Sequence, residues 1–189
     1  YQSAFINGSE AGRAMQDDKD DGALYLVKQG LVDPNRMAMF GWSYGGYAAL
    51  VAASRKDQIY QCAIAGAAVT DPEMQVDYYR YGIEGAQEVE QLTTWDGAIS
   101  PIKEVENINV PLLIVHGDVD QRVPPEHFDK YIAKLDRAGI EYQKLILEGA
   151  DHFSNTLYYH HKFEFYETML KFLENDCGSM SSGGSVAKR

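Results

Sequence analysis

Cysteine is nearly absent from this chain of 189 residues: Cys62 and Cys177 are the only two. Two cysteines make no disulfide framework of the kind that staples a small scaffold. Cys62 stands inside an apolar run, so a buried free thiol is the expectation there. Basic residues are scarce as well, 17 Lys and Arg against 28 Asp and Glu, which leaves a net charge of −11. That field repels phosphate backbones and anionic lipid, and nucleic acid is excluded as an expected partner. Long hydrophobic runs are missing. The segment from Val110 to Val115 is among the longest, far short of the roughly 18 to 20 residues that a membrane span requires, and no stretch has the order of parts of a signal peptide. No membrane partner is expected, and the compartment stays open between cytoplasmic and periplasmic or secreted. Repeats are lacking too, and only the segment from Gly178 to Arg189 is of low complexity, a flexible tail, natural or a cloning remnant.

What is present is an ordinary globular composition, 45% apolar and 24% charged. At this length a folded chain buries about 70% of the surface that its unfolded form exposes, enough for a core without a metal or disulfide staple. Apolar runs of strand length alternate with segments of helical period, the pattern of a parallel sheet covered by helices. The spacing predicts a first helix from about Gly12 to Gln29, with acidic residues in its early turns and Leu24, Val27 and Leu31 placed for burial. A short buried strand follows at Arg36 to Phe40, then an Ala-rich helix from Tyr44 to Arg55. Strands are expected at Gln61 to Val69, Val110 to Val115 and Tyr142 to Leu147. Helices are expected after Asp71-Pro72, at Pro125 to Ala138 and at Thr156 to Leu173. Residues 1–177 form one unit and 178–189 its tail.

The segment Phe40-Gly41-Trp42-Ser43-Tyr44-Gly45-Gly46 is a G-x-S-x-G set between a strand and a helix. In such a turn the strand enters the helix so sharply that side chains at Gly41 and Gly45 are expected to collide with their surroundings. The turn lifts the Ser43 hydroxyl clear of the sheet. It also aims the backbone N–H of Tyr44, at a helix N-terminus, toward an oxygen that turns negative when a carbonyl is attacked. The plain alternative is a serine that caps a helix in a Gly-rich turn. Partners decide between the two, because a serine hydroxyl needs a base to take its proton and an acid to hold that base in one tautomer.

Two loops after later strands can supply them. One is His116-Gly117-Asp118-Val119-Asp120-Gln121-Arg122-Val123, the other Glu148-Gly149-Ala150-Asp151-His152-Phe153. Of five histidines, only His152 directly follows a strand. His127 is assigned to the polar side of a helix, His160 and His161 to a solvated face of the last helix, and His116 to a strand end where it bonds to backbone. His160, His161 and Glu164 lack the rest of a metal site, so no metal or other cofactor is expected. Asp118 and Asp120 compete as the acid, with Asp151 a weaker third, and local spacing leaves them open.

Taken together, DPNRMAMFGWSYGGYAAL, then HGDVDQRVPPEHF, then a histidine one strand later resemble the catalytic domain of the prolyl oligopeptidase family of serine peptidases. The resemblance runs to about Cys177, and GWSYGGY is most similar to the dipeptidyl-peptidase IV and acylaminoacyl-peptidase branches. It implies the C-terminal part of an α/β-hydrolase fold, a mostly parallel sheet with helices on both faces. By position it implies Ser43 as nucleophile, Asp120 as acid, His152 as base and Tyr44 as oxyanion donor. Phe153 stands where many members have Gly. Arg122 matches a position that holds a substrate carbonyl, its alternative being an ion pair with a neighbouring aspartate. Asp77-Tyr78-Tyr79-Arg80-Tyr81-Gly82 resembles a segment whose tyrosines line a substrate pocket. Trp42, Tyr78 and Tyr81 are therefore placed with Arg122 on the substrate side, and Tyr79 in packing.

The implied activity is hydrolysis of short peptides through a Ser-Asp-His triad and an acyl-enzyme. An esterase or acyl hydrolase, and a non-catalytic interaction module, are the other readings. An α/β-hydrolase sheet normally has about eight strands and this chain offers about four. The expectation is therefore a C-terminal portion of a larger enzyme, whose front half would supply a second oxyanion donor and a β-propeller. A peptide is the expected substrate, and a homo-oligomer is a further expected partner.

Overall fold

The structure, a computed structural model, describes residues 10–81, 95, 97–153 and 156–177; the tail expected at 178–189 lies outside the described residues. One parallel sheet organises them. Its strands β1 (Ala38–Trp42), β2 (Cys62–Gly66), β3 (Leu112–Gly117) and β4 (Gln143–Leu147) lie side by side in chain order. Parallel neighbours need crossovers, and these hold the helices α2 (Tyr44–Ser54), α3 (Pro72–Tyr81) and α4 (Glu126–Ala138), while α1 (Ala14–Lys28) precedes β1 and α5 (Tyr159–Asn175) follows β4.

β2 and β3 are buried along their whole length, which is why they read as unbroken apolar runs rather than alternating ones. Their side chains still alternate between faces. Ala63, Ala65, Leu112 and Ile114 meet Leu50 of α2 and Tyr131 and Leu135 of α4 on one side. Cys62, Ile64, Leu113 and Val115 meet Phe165 and Phe172 of α5 on the other. The result is helix, sheet, helix, with the carboxyl ends of all four strands along one edge.

Cys62 is buried but not free, since it is bonded to Cys177, with the two Cα atoms 5.1 Å apart across 115 residues of sequence. The first residue of β2 faces the α5 layer, and α5 runs back along the sheet until its end meets it. Leu24 and Leu31 are exposed, at 45% and 73%, instead of buried. α1 turns only a narrow apolar face inward, through Ala23 and Val27 to Met37, Ala52 and Tyr60. Its other attachment is ionic, Asp17 and Asp20 both pairing with Arg55 beyond α2.

Candidate active site

β1 runs two residues beyond its predicted end, so that Ser43 is the first residue after the strand and α2 starts at Tyr44. Ser43 takes φ 59°, ψ −117°, a left-handed conformation that costs a non-glycine residue energy and recurs at functional turns. Its amide donates to Gly66 O of β2 at 2.9 Å, which ties the turn to the sheet. A Cβ on Gly41 would lie 2.1 Å from Gly45 O, and one on Gly46 would lie 2.4 Å from Gly66 O. A Cβ on Gly45 would meet nothing within 4 Å. The pair that the tight turn requires is Gly41 and Gly46 rather than Gly41 and Gly45, because position 45 supplies the backbone that the strand abuts while position 46 packs on β2.

Three residues from three strand ends form one hydrogen-bonded chain. Ser43 Oγ lies 2.8 Å from His152 Nε2, and His152 Nδ1 lies 2.7 Å from Asp120 Oδ2. A carboxylate can only accept, so Nδ1 carries the ring proton and Nε2 accepts from the serine hydroxyl. Asp120 is 2% exposed and His152 5%. The other oxygen of Asp120 accepts the amides of Arg122 at 2.8 Å and Val123 at 2.9 Å, so the buried carboxylate is satisfied on both sides.

The competing aspartates do other work. Asp118 is exposed and its Oδ1 accepts from Gly149 N at 2.6 Å, pinning the loop that carries His152. Asp151 accepts from Phe153 N at 3.1 Å and from the Thr156 hydroxyl, and so shapes the turn after the histidine. Geometry therefore joins Asp120 alone to His152.

Trp42 departs from its expected place on the substrate side. Its ring covers Gly66, stands edge-on to Phe165 with centroids 5.8 Å apart, and its indole N–H donates to His152 O at 2.8 Å. It anchors the backbone of the histidine from behind. His161 is not on a solvated face but buried, with Nε2 donating to Glu148 O at 2.9 Å and Nδ1 accepting from Tyr158 N at 3.3 Å. His127 is fully buried where a polar helix face was expected. α4 begins against Thr70, whose amide donates to His127 Nδ1 at 3.1 Å, and burial pushes the imidazole pKa down to about 3. His116 bonds to backbone as expected, Val123 O lying 2.9 Å from Nε2, and burial lowers its pKa too.

Of the residues expected to meet substrate, Tyr44 has its amide in the first turn of α2, whose N–H groups have no partner within the helix. Its ring packs edge-on to Trp95, and burial raises its phenol pKa. The Arg122 guanidinium lies 6.0 Å from the centre of the Tyr79 ring, and among the described residues it makes no ion pair with an aspartate. Tyr78 is 37% exposed and its hydroxyl donates to Gln121 O at 2.8 Å. The side chain of Tyr81, at the end of α3, lies outside the described residues. Among the described residues no group of three or more His, Cys, Asp or Glu gathers as a metal site. The sequence reading missed Gln75, whose side chain donates to Arg122 O at 2.8 Å; a lone Gln in a helix carries no motif that would mark it.

The family model described as the prolyl oligopeptidase family matches residues 6–179. Inactive dipeptidyl peptidase 10 of Rattus norvegicus is 28% identical over 154 residues, which are 81% of this chain and 19% of that protein. Dipeptidyl peptidase 8 of Mus musculus is 29% identical over 171 residues, 89% of this chain and 19% of that protein. The uncomplexed acylaminoacyl peptidase of Pyrococcus horikoshii superposes with a TM-score of 0.77 at 20% identity, over 97% of this chain and 31% of its own. The fold is the α/β-hydrolase fold of such peptidases. The chain spans about 19% of the length of these curated relatives.

Proposed function

The chain belongs to the prolyl oligopeptidase family of serine peptidases, and from that premise we propose that Ser43, His152 and Asp120 cleave peptide bonds through an acyl-enzyme. The observation that carries this is the unbroken chain from Ser43 Oγ through both nitrogens of His152 to Asp120 Oδ2. Ser43 Oγ attacks the carbonyl carbon as its proton passes to His152 Nε2. The oxygen that becomes negative is received by the amide of Tyr44, and Asp120 stabilises the imidazolium. His152 then gives the proton to the leaving amine, the C–N bond breaks, and an acyl-Ser43 ester remains. Water then gives a proton to His152 and its oxygen to the acyl carbon, the bond from that carbon to Ser43 Oγ breaks as His152 returns the proton to Oγ, and the free acid leaves.

Short peptides of the dipeptidyl- or acylaminoacyl-peptidase kind are the substrates this reading favours, with Arg122, Tyr78 and Tyr81 on the substrate side. The remainder of a protein as long as the relatives would supply the second oxyanion donor and control access. A non-catalytic reading is carried by the relative named inactive. Against it stands the complete serine, histidine and aspartate set, held at hydrogen-bond distance.

A fluorophosphonate probe separates the two readings, since it reports an activated serine without needing a peptide pocket. Labelling of the wild-type chain at Ser43, abolished in Ser43→Ala and slowed in His152→Ala, is the expected result. Labelling that survives Ser43→Ala, or a wild type that reacts no faster than that variant, refutes the assignment. Relative turnover of a p-nitrophenyl ester and a dipeptidyl amide then divides esterase from peptidase.

A further inference from the structure

The segment that holds Asp120 is itself held by α3. Tyr78 Oη donates to Gln121 O at 2.8 Å, while Gln75 Nε2 and Tyr79 Oη both donate to Arg122 O, at 2.8 and 3.0 Å. The amides of the same segment point to the acid: Arg122 N and Val123 N both donate to Asp120 Oδ1. A peptide unit is planar and rigid, so fixing the carbonyl of one residue fixes the N–H of the next. The Gln121 carbonyl shares its plane with the Arg122 amide, and the Arg122 carbonyl shares its plane with the Val123 amide. The three α3 side chains therefore grip the two planes whose N–H groups hold the carboxylate.

Gln75 adds an independent sign. It is 3% exposed, and its Oε1 has no hydrogen-bond partner among the described residues. A buried acceptor left unpaired costs stability, so packing alone favours a leucine of similar size. What the glutamine brings in exchange is the donor on Arg122 O.

We infer that Gln75, Tyr78 and Tyr79 are positioning residues for Asp120, acting through the peptide planes 121–122 and 122–123, so that the docking of α3 sets the alignment of the acid with His152. The inference rests on the reading of Asp120 as the triad acid. It also gives α3 two tasks, since the same helix carries the tyrosines assigned to the substrate side.

The test is a cycle of variants of the whole chain, read by saturation kinetics of fluorophosphonate labelling and by thermal unfolding. Gln75→Leu, Tyr79→Phe and their combination are made both with Asp120 intact and with Asp120→Asn. With Asp120 intact, the combined variant is expected to lower the maximal labelling rate by about 10- to 100-fold, the scale of a small misplacement of a catalytic group, at unchanged half-saturating probe concentration. With Asp120→Asn, the same substitutions are expected to change the rate by less than about twofold, because the group they align is already lost. Should the combined variant not fold, Gln75→Leu alone, which removes an unpaired acceptor, carries the comparison with roughly a tenfold effect. Losses that multiply equally in both backgrounds, or that fall on the half-saturating concentration, overturn the inference. A wild type labelled at Ser43 whose α3 variants react at the wild-type rate overturns it while leaving the site reading intact. A wild type that does not label at Ser43 overturns both.

Discussion

Asp118 and Asp120 share one loop and one side-chain chemistry, and they differ in what their oxygens accept. Asp118 takes a single amide, Gly149 N, at the exposed rim. Asp120 takes two amides with one oxygen and His152 Nδ1 with the other, almost fully buried. An Asp→Asn exchange therefore has opposite consequences at the two positions. Asp118→Asn still offers an amide oxygen to Gly149 and is expected to label with fluorophosphonate within about twofold of wild type, since a neutral acceptor replaces a charged one at an exposed rim. Asp120→Asn keeps its oxygen on the two backbone amides and so turns an NH2 toward His152, which forces the histidine into the wrong tautomer. Its expected loss is on the order of 10⁴ in rate. Measured labelling rates for the two variants, beside circular dichroism to show both folded, decide the matter; a larger loss at position 118 reverses the assignment. The spacing of the sequence could not separate these residues, because what separates them is the direction of two peptide N–H groups.

At the scale of elements, α5 reaches both the strand before Ser43 and the start of β2. Phe165 of α5 packs on Trp42, which precedes Ser43, and Trp42 in turn holds the carbonyl of His152. The far end of α5 is fastened to the start of β2 by Cys62 and Cys177. A bond that closes a loop of 115 residues removes much of the entropy of the unfolded chain, about 4 to 5 kcal/mol in the chain-entropy account. The Cys62→Ala, Cys177→Ala double variant is expected to unfold at a clearly lower temperature than wild type, and a reductant is expected to lower the wild-type midpoint without moving that of the variant. Equal midpoints for wild type and variant under oxidising conditions would show that the bridge contributes nothing. Two isolated cysteines carry no pairing information in their spacing; only the return of α5 along the sheet brings them together.

For the molecule as a whole, the notable surface lies along β1. Among the described residues β1 has a strand partner on one side only, and Phe40 on it is 46% exposed. Leu24, Tyr25 and Leu31 of the α1 region and Phe163, Tyr166 and Leu170 of α5 are exposed as well. An open strand edge flanked by apolar side chains is a template for pairing. The chain by itself is expected to self-associate at micromolar concentration, and Phe40→Lys, which puts a charge on that edge, is expected to shift it toward the monomer. Sedimentation velocity across a concentration series checks this. A wild type that stays monomeric throughout, with the mass of a single 189-residue chain, contradicts it.

By itself the sequence determined the order of elements, the turn at Ser43 and the identity of the family, because each of these is local. Apolar runs bounded by turn residues, and a serine between glycines at a strand-to-helix junction, are written in consecutive letters. Local spacing left Asp118 and Asp120 open, and only the family resemblance pointed to Asp120 by position; the tertiary structure alone decided that Trp42 braces the histidine from behind, that Gly46 rather than Gly45 is the close contact, and that Cys62 finds Cys177. Each of these depends on the direction of a backbone group or on the approach of residues far apart in the chain. His127 and His161 show the same limit: a polar residue at an outward-looking helical position is buried when a neighbouring strand end or loop closes over it, and helical periodicity carries no record of that neighbour.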